Sequence, residues 1–598
     1  MRGGPFMIRH RAVSLCLMVF CLQAGSSAQV TERVEVWERV FSRDLATSDM
    51  VILTRHDLET FDVSTLTDLF AFCAGVGVAR RGPGSFDITM GGGNFQQVLV
   101  MVNGVPVSNP QTGHFNTLLP FSLADVERVE VIRGAAAGMY GGGGSTGAIN
   151  IILNRKRRGG AIETTGGENG TLATRLVYDG AAGQWHGGVS LEQARSSGYY
   201  SGREFDRWIA AVRVLREAEN HETGLLAGYR FDGVGADGFY GDYPSVEEID
   251  SLFIQASHRM GFEGGRLLFN TAYRRVGDDF VLDRRRPDFF RNRSDTDQGF
   301  FDVSFLRRWS GFRFEGGLNL RLEGMASSAM GDHGRSGTGL VLSGGMDLPR
   351  GALEAGLRVE WWSGDGPQPG VFLGWRHGLG RLLWLGLSAG RTFRPPSFTE
   401  LFYASPANMG DPDLSAESAW HVDVSLARSR GQTAWRINGT LRRQDGLIDW
   451  IRDSSDAGDA EAPWRAANLD PHTVAGLQAA VEGSAGAVHW QLALETLRIL
   501  SEPTGIESKY GLRFPDLTLR TRLSWRPARG FGLSARHEYK TIHRTEEAGH
   551  FLDLVASLRL QCLELRLRMD NVFGTVIEEI PGVPVSGRWL RFEIRLLL

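Results

Sequence analysis

The sequence predicts a mainly β protein, a large antiparallel transmembrane β-barrel of about 22 strands behind a smaller N-terminal α+β unit. Three observations carry that reading. From about Gly160 to Leu598 the chain runs in segments of roughly ten residues that alternate apolar and polar, separated by clusters of Gly, Asp, Asn and Ser. Residues 1–28 have the build of an export signal: Arg2, Arg9 and Arg11, then the apolar run Ala12 to Leu22, then small residues ending in Ser26-Ser27-Ala28. No later stretch is an uncharged apolar run of about 18 residues, so nothing after the signal reads as a membrane-crossing helix.

Composition sets the outer limits. A length of 598 residues excludes a single small domain. A formal net charge of −4 argues against a nucleic-acid binder held by phosphate contacts. The 42% hydrophobic content would suit a soluble protein, but a barrel gives the same figure because its lumen-facing residues are polar. Removal of the signal takes away Cys16 and Cys21. Cys73 and Cys562 remain, too far apart for a disulfide framework, and both read as unpaired.

Taken in order, Thr54 to Leu58 reads as a strand ending at a helix start, with Asp57 as the cap. Thr65 to Phe72 reads as a helix with Leu66, Leu69, Phe70 and Cys73 on one side. Phe86 to Met90 alternates as a strand. Val98 to Met101 is an apolar run, and Asn103-Gly104 supplies a turn. Val126 to Ile132 sets Val126, Val129 and Val131 against Glu127, Arg128 and Glu130. A glycine-rich loop follows (Gly138, Gly141 to Gly144, Gly147), then the short apolar strand Ala148 to Leu153. Gly144-Ser145-Thr146 lacks the lysine a phosphate loop needs, and a flexible linker would not be flanked by such apolar strands. Arg155 to Gly160 is a basic junction between the two units. In the barrel, Phe312, Phe314, Leu318, Leu320 and Leu322 alternate with Arg313, Glu315, Asn319 and Arg321. At the end Leu590, Phe592, Ile594, Leu596 and Leu598 alternate with Arg591, Glu593 and Arg595. A soluble β-sandwich is disfavoured by the signal peptide and by the number of strands.

The motifs NGVPVSNPQTGH, DVERVEVIRG and MYGGGGSTGAINII stand in order over more than fifty residues. They resemble the plug domain of TonB-dependent outer-membrane receptors. In the barrel, Arg391 to Leu401 with Gly410 to Glu417, Gln444 to Trp450, Asp570 to Gly574 and Pro584 to Trp589 resemble that family's barrel signatures. Gly91 stands where the family usually has arginine, and Leu598 where it usually ends on an aromatic residue, a departure that bears on assembly. The compact length, without an N-terminal signalling extension, is most similar to the vitamin B12 receptor branch.

The resemblance implies a signal peptide over 1–28, a periplasmic segment over 29–48, a plug filling the lumen over 49–156 and the barrel over 157–598. It places the protein in the outer membrane of a Gram-negative-type bacterium, as a monomer surrounded by outer-membrane lipid. Glu32, Arg33, Val34, Glu35 and Val36 fall where the family carries its TonB box, a segment that pairs by strand addition with TonB and its inner-membrane energising complex. The implied function is proton-motive-force-driven uptake of a scarce metal-containing ligand, cobalamin-like or a ferric siderophore; the alternative is a non-transporting adhesin or structural porin. The apical plug loops give the expected ligand contacts: Asn94, Phe95, Gln96, Ser108, Asn109, Gln111, Thr112, His114 and Asn116. Polar contacts that hold the plug in place are expected from Glu127, Arg128, Glu130 and Arg133 on the plug and from Glu400 and Glu417 on the wall. Asp237, Asp242, Glu247, Glu248 and Asp250 form an acidic stretch that could hold calcium in an external loop, or simply be solvated. No catalytic constellation stands out, no cofactor is required, and no enzyme activity is expected.

Overall fold

Two threonines start the helices of the N-terminal unit. Strand β1 (Met50–Thr54) runs into α1 (Arg55–Thr60), and Thr65 precedes α2 (Leu66–Phe72). Each threonine side chain accepts the backbone N–H of the aspartate three residues on, and that aspartate bonds back to the threonine N–H. The cap is therefore Thr54; Asp57, expected in that role, closes the box from inside the helix. The computed structural model describes residues 50–81, 84–239, 243–364, 366–405, 408–453, 462–501, 505–528, 530–543, 545, 547–580 and 582–598. The expected signal peptide, the Glu32–Val36 segment and Asp242 lie outside the described residues.

After α2 come β2 (Val76–Arg80) and β3 (Phe86–Met90), a two-stranded ribbon, then β4 (Val98–Val102), β5 (Val105–Pro106), β6 (Val126–Arg133) and β7 (Gly147–Leu153). The main plug sheet has the order β1-β6-β7-β4-β5, with β4 and β7 parallel. Asn103 and Gly104 both take positive φ, 47° and 79°, which makes the tight hairpin turn expected of that pair. Both sheet faces are covered, so β4 is apolar throughout and β7 is apolar but for Asn150, rather than alternating. Val98, Val100, Val102, Val129, Val131, Ile149 and Ile151 join Leu69, Phe70 and Phe72 in one core. Leu99, Met101, Ile132 and Ala148 pack the other way against Ala135–Ala137 and Met139.

Twenty-two antiparallel strands close into a barrel around this unit. The last strand, Trp589–Leu597, pairs with the first, Gly159–Gly167, in the register Ile162↔Leu596. One rim carries short turns such as 183–184 and 310–311; the other carries the long connections 395–416, 446–471, 502–514 and 571–588. Alternation sorts the two faces. Leu318, Leu320 and Leu322 point outward and are exposed, while Arg313, Glu315, Asn319 and Arg321 are buried toward the lumen. Exposed Trp185, Trp309, Phe312, Trp384, Trp525 and Phe531 ring the short-turn rim as an aromatic girdle. The strand Arg291–Trp309 has 19 residues, more than the roughly 9–11 a bilayer needs, so the wall extends beyond the membrane. The basic junction is anchored at the short-turn rim, where Arg155 pairs with Glu222, Lys156 with Glu217 and Arg157 with Asp179.

Arginines of the wall hold the plug, chiefly through its backbone carbonyls. Arg274 donates to Val107, Phe115 and Leu118. Arg442 donates to Gly91, Arg520 to Val76, Arg522 to Ala71 and Phe72, and Arg568 to Asp62. Carboxylates add to this: Asp68 of α2 bonds Arg536 at 2.9 Å and Arg568 at 2.8 Å, and Asp125 meets Arg213 and Ser190. Each bond satisfies a buried polar group, and Phe253, Phe300, Val341 and Phe372 of the wall add apolar contacts to the plug.

Candidate ligand-binding site

The plug loops that face the long connections are ordered by their own amides. Asn109 Oδ1 accepts from Gln111 and Thr112 N–H, Asn116 Oδ1 from Asn109 N–H, Gln96 Oε1 from Gly113 N–H, and Asn94 Oδ1 from Gln96 N–H. Others tie the loops to the wall. Gln298 donates to the Ser108 carbonyl at 2.8 Å, Asn109 donates to Thr296 at 3.0 Å, and Gln111 reaches Asp278. Asn94, Asn109, Gln111, Thr112 and Asn116, expected as ligand contacts, are therefore buried and shape the loops. His114 is different. Its ring stacks on Phe95 at 3.9 Å between centroids, bonds Asp87 at 2.9 Å and keeps 19% of its side chain exposed.

His114 sits in the middle of a ribbon of cations and aromatic rings that runs between the plug and the long connections, buried at Arg81 and Arg203 and half-buried at Arg452, Trp464, Lys509 and Tyr510. On one side Asp87 also pairs with Arg81, and the guanidiniums of Arg81 and Arg203 lie 5.2 and 4.2 Å from the Phe239 ring. On the other, Tyr510 packs edge-on to Phe95 at 5.2 Å. Lys509 lies over Tyr510 and over Trp464, and Arg452 covers Trp464 at 4.2 Å. Trp464, Arg452 and Lys509 are brought together by a four-stranded sheet built from three long connections (Asn408–Met409, Trp464–Asn468, Ile448–Asp453 and Ile506–Ser508). Asp449 supports it from below, accepting from Gly511 N–H at 3.0 Å and from Ser508 Oγ.

Burial decides the electrostatics here. It lowers His114 below its ordinary value, against the opposing pull of Asp87, so the imidazole is neutral near pH 7. Burial would raise Asp87, but His114 and the permanent charge of Arg81 outweigh it and hold the carboxyl below the usual range. Burial lowers Lys509 to about 8 and raises Asp449 to about 6. Lys509 is thus a cation with little solvation, placed among rings, and an anion would be a welcome neighbour.

Of the residues expected to hold the plug, Glu417 does so most directly. It accepts from Gln97 Nε2 at 2.8 Å and Ser145 Oγ at 2.7 Å on the plug, and from Arg394 and Ile448 N–H on the wall. Glu400 instead closes the capping box of the loop helix Phe398–Phe402 and pairs with Arg394. Arg133 bonds Gln478 of the wall. Arg128 and Glu130 pair with each other at 2.8 Å, and Glu130 accepts from Asn150 within the plug sheet; Glu127 is half-buried at a β-bulge. The acidic stretch read as one external loop is not one. Glu247, Glu248 and Asp250 lie on the strand Val246–Phe262, whose alternation turns Glu247 inward and its two neighbours out, while Asp237 pairs with Arg284. Among the described residues no three His, Cys, Asp or Glu side chains gather as a metal site.

Arg81, Arg452, Trp464, Lys509 and Tyr510 were not legible as site residues, because connections far apart in sequence bring them to one place. The one available signal is a Lys-Tyr pair in a chain whose cations are mostly arginine.

Comparison with known proteins agrees with this architecture. Residues 43–148 match the TonB-dependent receptor plug domain, and residues 132–572 match the TonB-dependent receptor-like β-barrel. The vitamin B12 transporter BtuB of Photobacterium profundum is 22% identical over 510 residues, 81% of each chain. That of Vibrio cholerae is 23% identical over 615 residues, covering 94% of this chain and 95% of the relative. Among solved structures, the ferric enterobactin receptor PfeA of Pseudomonas aeruginosa superposes with a TM-score of 0.76 at 16% identity, over 92% of this chain and 98% of the other. The FrpB iron transporter of Neisseria meningitidis superposes with a TM-score of 0.77 at 13% identity, over 92% and 100%. The barrel match alone spans most of the sequence, and the chain belongs to the TonB-dependent receptors of the outer membrane.

Proposed function

We propose that the receptor captures an anionic, aromatic metal chelate of the ferric-siderophore kind at the long-connection face and imports it with TonB. The ribbon from Arg203 through His114 and Tyr510 to Arg452 supports this reading. Poorly solvated cations between aromatic faces suit a ligand that carries negative charge on flat rings. The Glu32–Val36 segment would hand the pull of TonB to β1 and the plug. A lumen crossed by a pinned plug argues against an open porin, and the chain would perform no covalent chemistry of its own. Cobalamin is the second reading, favoured by the 94% coverage of a relative named as a vitamin B12 transporter.

Binding of ferric enterobactin and of cyanocobalamin to the detergent-solubilised receptor separates the two, read by quenching of tryptophan fluorescence with a Trp464→Phe receptor as the reference. Affinity for the chelate should be flat below about pH 8 and fall as pH rises through that value, because free Lys509 loses its proton there and a bound anion would hold it on. Lys509→Met should weaken chelate binding and abolish that fall. Binding of cyanocobalamin alone, indifferent to Lys509, would move the assignment to the second reading.

A further inference from the structure

We propose that the outer face of the barrel carries, at the short-turn rim, a site for the phosphodiester of an anionic glycerophospholipid, made by Arg216, Thr223, His258 and His221. It is independent of what the receptor imports. The register builds it. Trp185 stands opposite Arg216, Arg216 opposite Thr223, and Thr223 opposite His258, on four successive strands. His221 lies two residues from Thr223 and so shares its face. One row of side chains therefore crosses four strands. Arg216 is directly across from Thr223 and diagonal to His221, about 5 Å and about 7 Å away between Cβ atoms, so one phosphate can span them.

Alternation turns this row away from the lumen. Glu217 and Glu222, the neighbours of the row, point inward, where Glu222 pairs with Arg155 and Arg259 and Glu217 with Lys156 and His186. Trp185, Arg216, Thr223 and His221 are exposed, and His258 is half-buried. The next outward positions on the last three of these strands are apolar: Val214, Leu225 and Ala256. The row thus lies where the aromatic girdle ends the apolar band. Short turns face the periplasm in barrels of this class, which puts the row at the headgroups of the periplasmic leaflet.

The polar atoms are already arranged for an anion. The Arg216 guanidinium lies 5.7 Å from the centroid of the Trp185 ring. Thr223 Oγ1 is 2.9 Å from His258 Nδ1, and His258 Nε2 is 3.5 Å from His221 Nδ1. With the Thr223 hydroxyl donating to His258 Nδ1, the His258 Nε2–H donates to His221 Nδ1, and the His221 Nε2–H is left over as a donor. An anion selects this chain of tautomers over its reverse, which ends in a lone pair. Arg216 adds a planar fork of donors that matches phosphate oxygens. No carboxylate shares the row; Glu219 and Glu263 stand in the turns beyond it. A headgroup ammonium therefore finds no partner within the row, which favours phosphatidylglycerol over phosphatidylethanolamine.

Native mass spectrometry of the detergent-solubilised receptor tests this, with dioleoylphosphatidylglycerol and dioleoylphosphatidylethanolamine titrated separately. The unaltered receptor should hold phosphatidylglycerol several-fold more tightly. Arg216→Gln and His221→Gln should each lower that affinity several-fold and leave phosphatidylethanolamine binding unchanged. Arg430→Gln, an exposed arginine elsewhere on the same rim, should change neither. Equal affinity of the unaltered receptor for the two lipids would overturn the site, and this comparison stands even where a variant fails to assemble. So would Arg216→Gln and His221→Gln receptors that hold phosphatidylglycerol as tightly as the unaltered one. Inorganic phosphate bound as tightly as the lipid, and lost in the same variants, would reassign the row to a free anion and overturn the lipid.

Discussion

The interior of the plug and its boundary with the barrel are both buried, but they are built from different chemistry. Inside, Val98, Val100, Val129, Val131, Ile149 and Phe70 pack in one apolar core with no polar partner to satisfy. At the boundary, Phe253, Phe300, Val341 and Phe372 of the wall meet the plug's apolar clusters, but arginines from the wall also reach plug carbonyls, and Asp68, Asp125 and Glu417 reach across in pairs. An apolar core resists partial opening because every exposed methylene costs about 0.8 kcal/mol. A hydrogen bond broken in a wet lumen is replaced by water, and its net worth is about 1 kcal/mol. The plug is therefore knit by apolar packing internally and held to the wall by apolar and polar contacts together. The same boundary suits arginine over lysine, since a planar guanidinium holds five donors in a rigid fork and sheds water more readily than an ammonium with three donors on a flexible stem.

The contrast can be broken from the inside first. Phe70→Ala should cost about 3–5 kcal/mol by leaving a cavity in the plug core, read as protease cleavage of the plug within an intact barrel. At the boundary the effect should be smaller. Asp68→Asn should loosen α2 by about 1–3 kcal/mol, read as faster hydrogen exchange over Leu66–Phe72 with the central strands unchanged. Burial would raise the Asp68 carboxyl, but Arg536 and Arg568 hold it well below its usual value of 3.8. The stability it gives is thus present above that value and lost only as pH falls through the lowered one. Acid release of α2 should accordingly set in only below the ordinary carboxylate range, and Asp68→Asn should erase that dependence. The smallest effect belongs to the exposed rim. Removing the Lys156–Glu217 pair with Lys156→Ala should change stability by about 0–1 kcal/mol, seen as an unchanged melting temperature.

Much of this fold could be read from local signals. Alternation marked the barrel strands because lipid and lumen impose opposite demands on neighbouring residues, as at Leu318 and Asn319. The Asn103-Gly104 turn follows from two residues that tolerate positive φ. The two helix starts were legible as well, though the choice of Asp57 over Thr54 as cap confused an N3 acid with the residue before the helix. The site was less legible. Asn109 and Gln111 have the side chains of ligand contacts, yet Asn109 divides its amide between the loop and Thr296 of the wall, and Gln111 turns its amide to Asp278 of the wall. The partners of Phe72 lie some 450 positions away in sequence, and no periodicity says which inward arginine meets which carbonyl. Barrel closure sets that correspondence.

That closure makes the ends of the fold neighbours. Because Trp589–Leu597 pairs with Gly159–Gly167, the hydrogen-bonded wall is a loop with no free edge, and the linker leaving the plug enters it beside this seam. An unfinished wall is a sheet with two open edges, each able to pair with another chain. The plug precedes the wall in the chain and stays tethered to the first wall strand, so its place in the lumen and the closing of the ring meet at one point. The seam is then the one joint whose making ends assembly, and a receptor shortened by its final strand would be an open ribbon still holding a plug it has nowhere to seat.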